Sequence, residues 1–211
     1  MDLTHRDIDI IKVLTTRIRV LSLNQIGEYW WASSARPDLL AGRRVEQLES
    51  CGLLFAYQAM CHPLLRLESP VILWMPGQQE PEFASAAYQL QVRWCRPPIL
   101  TNCVIATEEA ASRFGGYGGR RPRLTEQTHD LHLAAVYLKL RQADPSAAMF
   151  WKSEAELLTS PTRSPSDRLP DALIDHPAVP RVVEFGGAYR RDKLVDFHQW
   201  CANAGYAYEV W

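Results

Sequence analysis

Three carboxylates in the last third of the chain, Glu154, Asp171 and Glu184, stand where acids are costly to place. Asp171 opens the run Pro170-Asp171-Ala172-Leu173-Ile174, and Glu184 lies inside Arg181-Val182-Val183-Glu184-Phe185-Gly186-Gly187. Two short apolar runs joined by a Pro-bearing turn read as a β-hairpin with one acid on each strand. A carboxylate among apolar strand residues needs a partner if it is buried. A divalent cation is one such partner, because Mg²⁺ is held by one or two carboxylates together with waters. The alternative is that both are solvated strand-end acids. Glu154 follows an earlier strand and is a candidate third ligand, with Glu156 competing for that role because the strand is poorly bounded in the sequence.

The elements that must position these acids follow from periodicity. Residues 125–141 and 189–204 carry apolar side chains at helical spacing, and Gly205 is a natural stop for the second helix. Residues 147–151 and 206–211 read as strands flanking the hairpin. The order is helix, strand, strand, strand, helix, strand. This order, with Glu154, Pro170-Asp171 and Glu184 in place, resembles the core of the PD-(D/E)XK nuclease superfamily. The resemblance implies a catalytic set of Glu154, Asp171, Glu184 and a lysine, with Mg²⁺ or Mn²⁺ held by Asp171, Glu184 and Glu154 where such a site is active. The superfamily places its lysine two residues after the Glu, and here that position is Gly186. Lys193, on the following helix, is the candidate substitute; its plainer reading is a solvated helix residue.

The first 80 residues read differently. Thr4 and Asp7 form a capping box ahead of an apolar helix rich in Ile and Leu. A second helix spans 23–31, and Pro37 opens a third that Gly52 ends. Residues 53–57 and 65–74 read as the two strands of a ribbon. Three short helices and a ribbon resemble a winged helix-turn-helix, whose third helix enters the major groove, where Arg and Gln read base edges. Arg36, Arg43 and Gln47 fall off the apolar face and are the expected DNA contacts. Arg44 joins them but neighbours Val45 on the core side. Glu46 and Glu49 weaken the positive field, and such modules also dock proteins.

Composition bounds the rest. The chain has 211 residues, 47% apolar and 22% charged, with a formal charge of −1, so non-specific polyanion binding by the whole chain is disfavoured while a local basic patch is not. No apolar run approaches the roughly 20 residues of a membrane span, and the polar start does not resemble a secretion signal. A bacterial cytoplasmic location is expected. Five scattered cysteines without a C-x-x-C read as reduced thiols. His129 and His132 read as surface or core contacts in preference to a metal pair.

Residues 81–123 are expected to link two domains, 1–80 and 124–211. The segment from Gly115 to Arg123 holds four glycines and Arg120, Arg121 and Arg123. It reads either as a flexible basic loop on a phosphate backbone or as a plain linker. Taken together, Arg43-Arg44-Val45-Glu46-Gln47-Leu48, Cys51-Gly52-Leu53, Thr128-His129-Asp130-Leu131, Pro170-Asp171-Ala172 and Val183-Glu184-Phe185 resemble the replication-relaxation proteins of bacterial plasmids and mobile elements. That resemblance implies an α+β chain that binds double-stranded DNA, as a possible homodimer, to regulate replication, transfer or transcription, with a nuclease-like domain often lacking a complete site. A Mg²⁺-dependent endonuclease is the first alternative. The second is an adaptor that docks protein partners of a mobile element through Trp30, Trp31, Trp94 or Trp211.

Overall fold

The structure is a computed structural model that describes residues 2–161 and 168–211. It is a mixed α+β fold with one antiparallel and one mixed sheet. In chain order the elements are α1 (His5–Thr16), β1 (Leu21–Ser22), α2 (Leu23–Trp30), α3 (Pro37–Ser50), β2 (Leu54–Cys61), β3 (Ile72–Trp74), α4 (Phe83–Val92) and β4 (Ile99–Ala106). There follow α5 (Glu108–Phe114), α6 (Gln127–Ala143), α7 (Pro145–Ala148), β5 (Trp151–Ser153), α8 (Glu154–Leu158), β6 (Ala172–Ile174), β7 (Arg181–Glu184), α9 (Arg191–Asn203) and β8 (Ala207–Val210). No helix among the described residues is long and apolar enough to cross a membrane.

The chain forms two compact units, one from Met1–His62 and Pro98–Leu138, the other from Pro63–Pro97 and Lys139–Trp211. Both are discontinuous, so the expected division into 1–80, 81–123 and 124–211 does not describe them. The ribbon shows why. Strand β2 pairs along its whole length with β4, from Leu54 opposite Ala106 to Cys61 opposite Ile99. Residues 65–74 were expected to supply that partner. Instead Ile72–Trp74 joins the other sheet, antiparallel to β8. The segment between β2 and β4 therefore leaves the first unit, contributes β3 and α4 to the second, and returns.

In the first unit the sheet order is β1-β4-β2, all antiparallel. Local signals set its helices. Thr4 and Asp7 exchange the two bonds of a capping box on α1, and Ser22 and Gln25 do the same on α2. Pro37 stands in the first turn of α3, where its missing N–H costs nothing. Ile10, Ile11, Ile26, Ala41 and Leu48 have no solvent exposure, and each large apolar side chain buried this way contributes about 1.5–3 kcal/mol.

The stretch from Gly115 to Gly119 is a packed turn, not a free loop. Tyr117 N donates to Thr15 O at 2.7 Å and Gly119 N to Ala106 O at 2.8 Å. Gly116 has φ +89°, and a Cβ there would lie 2.1 Å from Thr15 O; one on Gly118 would lie 2.2 Å from Thr107 O. Glycine is required because backbone approaches backbone.

In the second unit the sheet order is β3-β8-β7-β6-β5, with β7 and β8 parallel and the other pairs antiparallel. Residues 147–151 do not form the strand expected of them. Asp144 caps the short α7, accepting from Ala147 N at 2.9 Å, and β5 starts only at Trp151. One face of the sheet (Ile72, Trp74, Val182, Tyr208, Val210) packs with Phe83, Ala86, Ala87 and Leu90 of α4 and Leu194, Phe197 and Cys201 of α9 in a single core cluster. This face carries the acids.

Candidate functional site

Asp171 and Glu184 are brought together by strand register. In the hairpin Ala172 opposes Val183 and Leu173 opposes Val182, so the next pair outward is Asp171 and Glu184. Opposed residues of an antiparallel pair share a face, and Glu184 shares its face with Val182, two residues back. Both acids therefore lie on the face covered by α4 and α9. Pro170, itself buried, leads into the strand. Asp171 N donates to Glu184 Oε2 at 3.4 Å, and Phe185 N donates to Asp171 Oδ2 at 2.7 Å.

The turn after β7 adds a third group. Tyr189 N donates to Gly186 O at 3.0 Å, and the Tyr189 hydroxyl returns to Glu184, donating to Oε1 at 2.6 Å. Glu184 is only 6% exposed. Burial, reinforced by the nearby charge of Asp171, pushes its carboxyl up to about 7, against the opposing effect of the Tyr189 bond and of Arg168. Burial also drives the Tyr189 phenol far above its ordinary range, with the Glu184 charge adding to it, so it is a neutral donor.

Lys193 lies in the first turn of α9, and its Nζ stands 3.4 Å from the centroid of the Tyr189 ring. Burial lowers the ammonium below its ordinary value, and Arg168 adds to the lowering while Glu184 and Asp171 oppose it. The lysine thus belongs electrostatically to the acid pair. Position 186 is crowded: a Cβ on Gly186 would lie 2.9 Å from Val210 Cγ1 and 3.0 Å from both Leu90 methyl carbons, which would have to move aside.

Glu154 does not complete a three-acid site. Among the described residues no three His, Cys, Asp or Glu side chains gather as a metal centre. Ser153 accepts from Glu156 N at 3.4 Å and caps α8, so the chain turns helical at Glu154, which is exposed. What remains is a pair of opposed carboxylates. Such a pair fits a hard cation that keeps most of its water, as Mg²⁺ does. Among the described residues, the bond on Glu184 Oε2 is the long one from Asp171 N, so this oxygen is the one best placed to serve it.

The expected DNA contacts in the first unit divide. Arg36, the residue before α3, and Arg43 on it are exposed, and Arg120 and Arg123 are exposed beyond the glycine turn. Arg44 is an internal residue: its Nε donates to Asp7 Oδ1 at 2.7 Å, and its Nη1 donates to Gln47 Oε1 at 2.6 Å. Asp7 is 1% exposed; burial raises its carboxyl, but the bonds from Arg44 and Thr4 outweigh this and hold it below the ordinary value. Both Arg44 and Gln47 are thereby occupied. Arg121 lies 4.2 Å over the Phe55 ring and 4.9 Å over Tyr57, stacked on β2. Two leucines, Leu39 and Leu40, are exposed on α3 beside Arg43.

The remaining candidates have internal roles. His132 Nδ1 lies 2.6 Å from Thr128 O, and His129 Nδ1 lies 3.2 Å from Asp130 Oδ1. Asp130 accepts from Arg19 Nε at 2.8 Å. Trp30 donates to Asp9 and Trp94 to Gly187 O, Trp31 lies under Arg6, and Trp211 is buried. Compared with known proteins, the chain matches no family model, no curated protein and no solved structure.

Proposed function

We propose that this chain acts on double-stranded DNA, with a winged-helix module in the first unit and a PD-(D/E)XK-like site for metal-dependent phosphodiester cleavage in the second. The observation that carries the reading is the opposition of Asp171 and Glu184, whose charges reach Lys193 on α9. A buried Glu184 with a raised carboxyl opposite Asp171, with Lys193 close enough to feel both charges, is a combination that clusters at sites built for chemistry. Asp171 and Glu184 would hold Mg²⁺ or Mn²⁺. A divalent cation in such a site supplies Lewis-acid charge and a water of lowered pKa. Lys193 stands to neutralise charge on the phosphodiester, from the helix and not from the strand. Tyr189 keeps one Glu184 oxygen fixed.

The element order helix, strand, helix, helix, strand, strand in the first unit, with sheet order β1-β4-β2, supports the winged-helix reading. Arg36 and Arg43 are its DNA contacts, with Arg120 and Arg123 on the phosphate backbone. The proposed setting is the replication-relaxation type of mobile-element protein in a bacterial cytoplasm.

A second reading has its own observation. Tyr189 already occupies Glu184 Oε1, and no third acid joins the pair among the described residues. Those features suit a DNA-binding regulator whose cleavage site has been retired. Incubating supercoiled plasmid with the pure chain and Mn²⁺, beside Asp171→Ala, separates the two. Nicking by the wild type alone supports the cleavage site. Salt-sensitive duplex binding without nicking supports the regulator. Nicking that persists in Asp171→Ala refutes the assignment of the acid pair.

A further inference from the structure

We infer that the Tyr189 hydroxyl makes the acid pair selective among divalent cations, favouring Mg²⁺ or Mn²⁺ over Ca²⁺ by leaving Glu184 one oxygen for the ion. The inference rests on the metal-site reading above and assigns to that site a positioning residue that sets its ion. Tyr189 donates to Glu184 Oε1 at 2.6 Å, the length of a hydroxyl bond to an ionised carboxylate. Both partners are held in place. Glu184 is buried at the end of β7. Tyr189 is tied to the turn after that strand, where its N–H donates to Gly186 O at 3.0 Å. It is tied also to α4, where Gln91 Nε2 donates to its carbonyl oxygen at 3.2 Å. Lys193 Nζ of α9 rests 3.4 Å from the centroid of its ring. Three elements therefore fix the ring whose hydroxyl engages Glu184.

Hard cations ask different things of a carboxylate. Mg²⁺ takes few protein oxygens and keeps several waters, whereas Ca²⁺ takes about six to eight oxygens and readily accepts both from one carboxylate. Glu184 can serve the first kind without disturbance. Its Oε2 carries the 3.4 Å bond from Asp171 N and retains capacity for a cation, while Oε1 keeps the Tyr189 bond. To serve the second kind with both oxygens, Oε1 would have to share or release that bond, and a buried hydroxyl that loses its partner is penalised. The hydroxyl thus sets a cost on two-oxygen binding that one-oxygen binding does not meet. Groups that hold a ligating carboxylate in this way typically change metal affinity by about 10–100-fold. A tyrosine kept for packing alone would have no such effect, and phenylalanine would replace it without consequence for the ion.

The test uses the full chain at pH 8 and the metals alone, Mn²⁺ or Ca²⁺, titrated by calorimetry without nucleic acid. Wild type should bind Mn²⁺ more tightly than Ca²⁺, and Asp171→Ala should lose the Mn²⁺ heat. Tyr189→Phe keeps the ring and removes the hydroxyl. In that variant the ratio of the Ca²⁺ Kd to the Mn²⁺ Kd should fall about tenfold. A purely structural role for Tyr189 would lower Tm and weaken both ions by the same factor, so an unchanged ratio overturns the inference at any stability of the variant. Wild type that binds Ca²⁺ as tightly as Mn²⁺ overturns it as well, with no variant needed. In both of those cases Mn²⁺ binding that depends on Asp171 leaves the metal-site reading standing. Wild type that binds neither ion, or Mn²⁺ binding that survives Asp171→Ala, overturns the site and the inference together.

Discussion

Replacing Glu184 with Gln should stabilise the protein at alkaline pH and leave it nearly unchanged at acid pH. Glu184 is buried beside Asp171, and its carboxyl is raised from 4.5 to about 7. A raised carboxylate binds its proton more tightly in the folded state than in the unfolded chain. Its contribution to stability is therefore fully present below about 4.5 and is lost as pH rises through about 7. The span of the shift converts to about 3 kcal/mol at 1.36 kcal/mol per pK unit. Glutamine never ionises and keeps an oxygen for the Tyr189 hydroxyl, so the variant escapes that loss. Thermal unfolding followed by circular dichroism at pH 5 and pH 8 reads the difference. The expected gap in Tm is small at pH 5 and of order 10 °C in favour of the variant at pH 8. Mn²⁺ should narrow the gap at pH 8 by raising only the wild type, since a ligand that binds the folded state stabilises it. A gap of equal size at both pH values would refute the claim that Glu184 is buried against stability. A variant less stable than wild type at pH 8 would refute it outright.

Four further substitutions test the two candidate surfaces. Arg44→Ala should lower stability by about 3–5 kcal/mol in chemical denaturation, because it leaves Asp7, 1% exposed, buried without its ion-pair partner. Arg43→Ala should leave stability within about 0.5 kcal/mol of wild type and weaken duplex binding with a shallower salt slope; unchanged binding refutes α3 as the recognition helix. Gly186→Lys, which writes the superfamily lysine into its usual place, should fail to rescue a Lys193→Ala variant and should itself destabilise the chain by about 1–3 kcal/mol through overpacking against Val210 and Leu90, as measured by Tm and plasmid nicking.

Local chemistry was written in the sequence, and long-range pairing was not. The capping box at Thr4 and Asp7, the proline opening α3 and the glycine after α9 each act over a few residues, and each marks an element end in the structure. The placing of Asp171 and Glu184 on adjacent strands of one hairpin was legible for the same reason, whereas their direct opposition came from the register across a six-residue connection. Residues 65–74 have a strand-like pattern, but a pattern of period two does not say which sheet a strand joins. The answer lay in β8, more than 130 residues away, and the true partner of β2 begins only at Ile99. Arg44 was ambiguous until Asp7, 37 residues earlier, appeared beneath it. The Gly-rich turn misled because composition reports freedom, whereas Gly116 and Gly118 are fixed by the carbonyls they touch. The helical start at Glu154 did have a signal, the Ser153-x-x-Glu156 spacing of a helix N-terminus.

Tyr189 and Arg168 were invisible for a more instructive reason. Neither belongs to a motif, and each comes near the acid pair only through the fold. Leu90 of α4 and Val210 of β8 crowd position 186, so a side chain there would have to push their methyl groups aside. The lysine nearest that pair on the following helix comes from another backbone position. Helix α9 is the element that supplies it, and the turn through Gly186 and Gly187 brings Tyr189 under Lys193 as a ring on which the ammonium rests. The same helix offers Phe197 and Trp200 as the surface on which Arg168 lies. Aromatic side chains on and before one helix thus take over the positioning that a strand backbone would otherwise provide. The cost of that arrangement is precision, since a lysine held by a cation–π contact is fixed by about 0.5–2 kcal/mol, less firmly than one rooted beside the acids on the strand itself.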